Sequence, residues 1–177
     1  MAYVPLLRPI AEAGYTTVIV RLPFRFALLE AHRTEAIARA HRAIASHSDV
    51  ARWIVAGHSL GAALAARMAG TKPTSLAGLI LIGTTHPRDQ DLSSLAIPVT
   101  KIVGTEDGVA PLEDVRKNAR LLPASTRWIE IAGGNHSQFG HYGHQLFDGT
   151  ATVSREYQQG IVQRELIGAL EELATLR

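Results

Sequence analysis

Apolar and polar positions along this chain fall into two rhythms that alternate with each other. Val4, Leu6, Leu7 and Ile10 recur at helical spacing across residues 3–13 and stop at Gly14. Thr16-Thr17-Val18-Ile19-Val20 is a short β-branched run ended by Pro23, which predicts a strand. Residues 30–46 return to helical spacing, with alanines, Ile37 and Ile44 on one side and Arg33, Glu35, Arg39 and Arg42 on a solvated remainder. Trp53-Ile54-Val55-Ala56 predicts a buried strand, and the alanine-rich run from Ala62 to Ala69 a helix closed by Gly70. Leu79-Ile80-Leu81-Ile82, Pro98-Val99-Thr100-Lys101-Ile102-Val103 and Arg127-Trp128-Ile129-Glu130-Ile131 complete the strands. A helix is predicted over 111–121, with proline at its start, and a long last helix runs from about Ser154 to Leu176. Such alternation predicts an α/β fold: a mostly parallel sheet with helices on both faces, in one domain over 1–177. There is no internal repeat and no low-complexity segment.

Composition adds mainly exclusions. With 46% apolar and 19% charged residues the chain has the make-up of an ordinary globule. A formal charge of +2, with scattered basic residues, gives no nucleic-acid footprint. The longest apolar stretch, residues 76–82, contains Gly78 and is far too short to span a bilayer. The N-terminus, with Pro5 and Arg8, lacks the form of a signal peptide. The absence of cysteine excludes disulfides, thiolate metal sites and cysteine nucleophiles, and leaves the compartment open.

The joint between the Trp53 strand and the alanine-rich helix carries the chemistry. It reads Gly57-His58-Ser59-Leu60-Gly61, a G-x-S-x-G at a strand-to-helix turn, the setting of a serine nucleophile. The turn lifts the Ser59 hydroxyl clear of the sheet, and glycine is expected at 57 and 61 to avoid collision with neighbouring backbone. The Leu60 amide stands at the new helix's start, unpaired and at the positive end of its dipole, suited to a developing oxyanion.

Active sites of open parallel sheets gather at the carboxyl ends of the strands. Beyond the Pro98 strand lies Gly104-Thr105-Glu106-Asp107-Gly108, and beyond the Arg127 strand Gly133-Gly134-Asn135-His136. Serine, acid and histidine thus follow in the chain order Ser59, Asp107, His136. His136 would act as general base and acid, and Asp107 would orient it and stabilise its charged form. Glu106 is the other acid within reach of that loop. No cofactor is needed for this chemistry. His136, His141 and His144 with Asp148 are irregularly spaced on a glycine-rich stretch, which does not read as a metal site.

These residues resemble the alpha/beta-hydrolase superfamily, in particular a compact, cap-less, esterase-like bacterial branch. The likeness runs from Tyr3-Val4-Pro5-Leu6-Leu7 to the last helix. Its most distinctive part is Gly134-Asn135-His136-Ser137-Gln138-Phe139-Gly140-His141-Tyr142-Gly143, with Asp148-Gly149-Thr150-Ala151-Thr152 beyond. The resemblance implies no cap, because only residues 83–96 separate the two strands between which caps are usually inserted. One departure stands out. In the family, a strand before the first helix lies beside the serine strand and ends in a glycine-rich loop giving a second oxyanion amide. Here Met1-Ala2-Tyr3 is already at the first helix. Either the chain is a fragment, or the Thr16 strand moves into the vacancy and pairs directly with the Trp53 strand. In the second case the Phe24 amide becomes the second donor. Relatives with upstream extensions can carry a membrane anchor there, so the compartment is not fixed.

The expected activity is hydrolysis of small, short-chain carboxylic esters through an acyl-enzyme. His58, Phe139 and Tyr142 border the substrate pocket, and His86 lies near the same edge. The alternatives are another acyl transfer on the same residues, such as thioester cleavage, and a catalytically weak binding module or fragment, including a homodimeric one.

Overall fold

The structure is a computed structural model that describes residues 2–25 and 29–175. Helices α1 (Val4–Glu12), α2 (Glu30–Ala45), α3 (Leu60–Gly70), α4 (Leu112–Lys117) and α5 (Arg155–Thr175) alternate with strands β1 (Trp53–His58), β2 (Leu76–Ile82), β3 (Val99–Gly104) and β4 (Arg127–Ile131). The four strands form one sheet in the order β1-β2-β3-β4, and every neighbouring pair is parallel. The predicted end of the last helix at Leu176 lies outside the described residues.

Both faces of this sheet are covered, which explains why its strands read as continuous apolar runs. On one face Ala62, Ala65, Ala66 and Ala69 of α3 pack against Leu76, Leu79, Leu81 and Val99. Their small side chains let α3 lie close to the sheet. On the other face Leu6 and Ile10 of α1, with Val162 and Leu166 of α5, cover Ile80, Ile82, Ile102 and Ile131. Helix α2 joins the α3 layer through Ala36 against Leu64. Residues 83–98, between β2 and β3, contain no helix, so the fold carries no cap there. No helix among the described residues is long and apolar enough to cross a membrane.

Two expectations are corrected. The helix predicted over 111–121 stops at Lys117 and is followed by a separate 3-10 turn, Ala119–Leu121. More consequentially, residues 16–20 form no strand and do not pair with β1, which is the edge of the sheet. β-branched residues favour a strand only when a partner supplies the ladder, and here a cavity separates residues 14–20 from β1. The route by which Phe24 was expected to reach the serine therefore loses its premise. Phe24 sits in a 3-10 turn at φ 51°, its ring 4.9 Å from His32 and largely in solvent.

Candidate active site

Ser59 follows β1 directly and adopts φ 54°, ψ −121°, a region that non-glycine residues rarely occupy. The turn survives because its amide bonds to the Ile82 carbonyl at 3.0 Å, while its carbonyl accepts the Ala62 amide at 3.0 Å. Gly57 is indispensable to it: a Cβ there would lie 2.3 Å from the Gly61 carbonyl oxygen. The expected constraint on Gly61 is not found, since nothing stands within 4 Å of a Cβ at that position. Gly61 borders the cavity beside β1, so the space that would restrict it is open. Ser59 itself is partly exposed, and the Leu60 amide opens α3.

The loops after β3 and β4 interlock. The Glu106 amide bonds to the Gly134 carbonyl at 2.8 Å, and the Gly133 amide to the Thr105 hydroxyl at 2.9 Å. A Cβ on Gly104 would lie 2.3 Å from the Gly134 oxygen, so the two loops touch backbone to backbone. That contact brings His136 Nδ1 to 2.9 Å from Asp107 Oδ2, with both side chains wholly buried. Asp107 Oδ1 also accepts the amides of Val109 and Ala110, at 2.9 and 2.6 Å. The carboxylate is fixed from both sides, and the ring donates its Nδ1–H to it. His136 Nε2 is thereby left as an acceptor. It is buried and has no hydrogen-bond partner among the described residues, Ser59 included.

The ring of His58 lies 4.4 Å from that of His136. The hydroxyls of Tyr3 and Tyr142 reach its Nδ1 at 2.8 and 3.0 Å, fastening the start of α1 and the loop beyond His136 to the serine turn. Burial, and then the neighbouring His136, hold the His58 pKa well below its ordinary value, so its ring stays neutral. Burial likewise raises the Tyr142 phenol, with Tyr3 adding to the rise. Phe139 is wholly buried, its ring 5.4 Å from His58, and it packs in the apolar layer under α5 while also bordering the cavity beside β1. His86 lies in the loop beyond β2, where its carbonyl receives the Lys101 ammonium.

The sequence signalled Asp148 only as a neighbour of histidines, yet it organises this site. Its Oδ1 accepts the amides of His136 at 3.1 Å and Gly108 at 3.2 Å, and its Oδ2 the amide and hydroxyl of Ser137 at 2.7 and 2.6 Å. One carboxylate thus staples the loop of Asp107 to the loop of His136. Burial raises its pKa, but the hydrogen bonds from Ser137, His136 and Gly108 outweigh that and hold it below the ordinary carboxylate value. His141, for its part, bonds Gln159 Oε1 through Nε2 at 3.0 Å. The spacing of Asp148 from either loop gives no hint of its role, because the chain folds back over residues 140–147 to reach them.

The comparisons agree with this architecture. An Agrobacterium tumefaciens protein assigned to the alpha/beta hydrolases has 19% identity and a TM-score of 0.62, over 81% of this chain and 62% of that one. A Coxiella burnetii alpha-beta serine hydrolase homologue has 19% identity and a TM-score of 0.58, over 80% and 59%. The esterase domain of a Rhodothermus marinus protein has 13% identity and a TM-score of 0.54, over 75% and 65%. The chain spans less than two thirds of the length of each. No curated protein matches the sequence significantly. A family model described as the alpha/beta hydrolase family matches residues 1–160, and with the parallel sheet and the serine turn in place this chain belongs to that family.

Proposed function

We propose that this chain is a serine carboxylic-ester hydrolase that acts on small, short-chain esters through an acyl-enzyme, as a single domain over 1–177. The buried Asp107–His136 pair, at the strand ends beside a strained serine turn, carries the reading. The mechanism assigns Ser59 as nucleophile, His136 as general base and acid, Asp107 as the orienting acid and the Leu60 amide as an oxyanion donor. Ser59 Oγ attacks the ester carbonyl as its proton passes to His136 Nε2, the nitrogen left free by the Nδ1–Asp107 bond. The tetrahedral oxyanion takes the Leu60 N–H at the helix start. Its collapse breaks the C–O bond to the alcohol, which leaves with the proton from His136. Water then attacks the acyl-enzyme by the same route, giving the acid and restoring Ser59. With no helix in residues 83–98, no cap covers the site from that side, which suits small or exposed acyl groups.

A second reading, a catalytically weak module of the same fold, draws on one observation: His136 Nε2 makes no hydrogen bond to Ser59. Hydrolysis of p-nitrophenyl acetate, butyrate and octanoate by the chain and by Ser59→Ala separates the two. Serine-dependent turnover that favours the short esters is expected. Equal rates for the two proteins would overturn the hydrolase reading in favour of the weak module.

A further inference from the structure

A polar cavity of about 300 Å³ lies between the start of α5 and the loop beyond His136, with Asn135, Ser137, Gln138, His144, Thr150 and Arg155 in its wall. No residue of the serine turn borders it. Several of its polar groups are already satisfied. Asn135 donates through Nδ2 to the Gly149 carbonyl at 2.8 Å, and its Oδ1 accepts the Gln138 amide at 3.0 Å. Ser137 donates its hydroxyl to Asp148 and accepts the Gln145 amide at 2.8 Å. Asp148 is met in turn by the amides of Gly108, His136, Ser137 and Gly149, so its charge is answered without the cavity.

Two buried atoms in the same wall are not satisfied. Arg155 Nε and Gln138 Oε1 are shut off from solvent and have no hydrogen-bond partner among the described residues. Folded proteins pair roughly nine-tenths or more of their buried polar groups, so two orphans on one small cavity call for a common explanation. Arg39, Arg67, Arg116 and Arg127 each pair with a glutamate. Arg155 instead donates to the Tyr142 carbonyl at 3.1 Å and has no carboxylate within ion-pair distance among the described residues. Its neighbour Glu156 bonds Ser154 and its own amide. The Gln138 amide is oriented by its Nε2, which donates to the Val153 carbonyl at 3.1 Å and leaves Oε1 as the unpaired end.

The two atoms require opposite partners. A guanidinium is always charged and is best met by an oxyanion, whereas a carboxamide oxygen needs an O–H or N–H donor. A dianion such as phosphate matches poorly, because Arg155 is the one fixed cation of the wall and Asp148 stands directly behind Ser137. An amino acid matches poorly as well, since its ammonium would meet a cation and no free carboxylate. A monoanion that also carries a neutral hydroxyl satisfies both atoms. Thr150 and His144 are exposed and make no side-chain hydrogen bond among the described residues, so they add free polar groups at the rim. The volume stands at the lower end of small-molecule cavities, about 300–1,000 Å³.

We propose that this cavity binds a small hydroxycarboxylate, its carboxylate on the Arg155 guanidinium and its hydroxyl donating to Gln138 Oε1. The site does not include Ser59, so the inference stands whether or not the chain hydrolyses esters.

The test uses the full chain labelled with nitrogen-15 and reads the arginine Nε–H signals, that of Arg155 being assigned by its loss in Arg155→Lys. Lactate and 3-hydroxybutyrate are titrated at constant ionic strength. At least one is expected to shift the Arg155 signal saturably, with half-saturation at about 0.1–10 mM, the scale open to so small a ligand. Propionate and butyrate, which lack the hydroxyl, are expected to bind at least fivefold more weakly. These comparisons are made on the unaltered chain and need no variant to fold. Gln138→Met is expected to erase the preference for the hydroxy acid. Arg155→Lys keeps the charge but loses Nε–H, and is expected to bind at least fivefold more weakly, read on the Thr150 amide with a melting curve to show that the variant is folded. Absence of a saturable shift overturns the proposal and leaves the cavity to water. The same shift with chloride overturns it as charge screening. Equal binding of propionate and lactate overturns it by reducing the site to an anion contact, and tighter binding of inorganic phosphate overturns it in favour of a dianion.

Discussion

The Asp148 carboxylate accepts the backbone amide of His136 at 3.1 Å, so the position of the histidine is set from a loop twelve residues further along the chain. The same oxygen takes the Gly108 amide next to Asp107, and the other takes both donors of Ser137. Asp148→Asn keeps the size of the side chain but replaces one acceptor oxygen by a donor. It therefore sets an N–H against an N–H on one side of the staple. The expected loss at neutral pH is about 1–2 kcal/mol, or roughly 2–8 °C in melting temperature for a domain of this size. The sign of the pH dependence follows from the lowered pKa: stability from this carboxylate is full above its unfolded value and is lost as pH falls through the folded one. Melts at pH 7 and pH 3 should show the gap between wild type and variant closing in acid. A gap of constant size would mean that the charge of Asp148 plays no part.

Asp107→Asn tests the proposed mechanism at its buried pair. Asparagine can still offer its oxygen to the Val109 and Ala110 amides, so the fold should hold. Its amide nitrogen would face His136 Nδ1, making that atom the acceptor and moving the ring proton to Nε2. Nε2 could then no longer take the Ser59 proton. Turnover of p-nitrophenyl butyrate is expected to fall by about 10³–10⁴-fold with little change in melting temperature. Undiminished turnover in a folded variant would remove Asp107 from the mechanism.

Much of this arrangement is legible in the sequence because local physics dictates it. The alanine run after Ser59 packs close to the sheet, and the apolar runs at Leu76, Val99 and Arg127 become strands because helices cover both faces. That residues 107 and 136 meet follows from their placement just beyond adjacent parallel strands. The failures come where a residue's state depends on a partner remote in sequence. Residues 16–20 have strand composition but no strand to pair with. The phenols of Tyr3 and Tyr142 converge on His58 across 55 and 84 residues, and no spacing rule signals that. Lys101 looks like a solvated residue between Thr100 and Ile102, yet β3 is buried along its whole length.

Lys101 gives a prediction of its own. Its side chain is 1% exposed and its ammonium donates to the His86 carbonyl at 2.5 Å. Burial lowers its pKa to about 7. Between that value and the ordinary 10.5 the unfolded chain binds more protons than the folded one, so this lysine makes stability rise with pH across that window. The slope is at most about 1.4 kcal/mol per pH unit for one proton. Urea unfolding at pH 7 and pH 9 should therefore show wild type gaining about 1–3 kcal/mol relative to Lys101→Met, which lacks the titrating group. Parallel pH dependence in the two proteins would place the charged form comfortably in the fold.

The two glycines of the serine turn should respond in opposite ways to the same added methyl. At Gly57 a Cβ would lie 2.3 Å from the Gly61 oxygen and 2.5 Å from the Ala62 nitrogen, and neither backbone atom can retreat without opening the turn. Gly57→Ala should destabilise by about 1–3 kcal/mol or more and disturb the Ser59 backbone with it. At Gly61 the added methyl meets nothing within 4 Å, and alanine in the first turn of α3 restricts the unfolded chain. Gly61→Ala is therefore expected to be neutral or to add up to about 1 kcal/mol, read as an unchanged or higher urea midpoint. Gly61 also borders the cavity beside β1, which leaves room for the methyl that Gly57 lacks. If Gly61→Ala instead destabilises as much as Gly57→Ala, the space beside Gly61 is not open in solution.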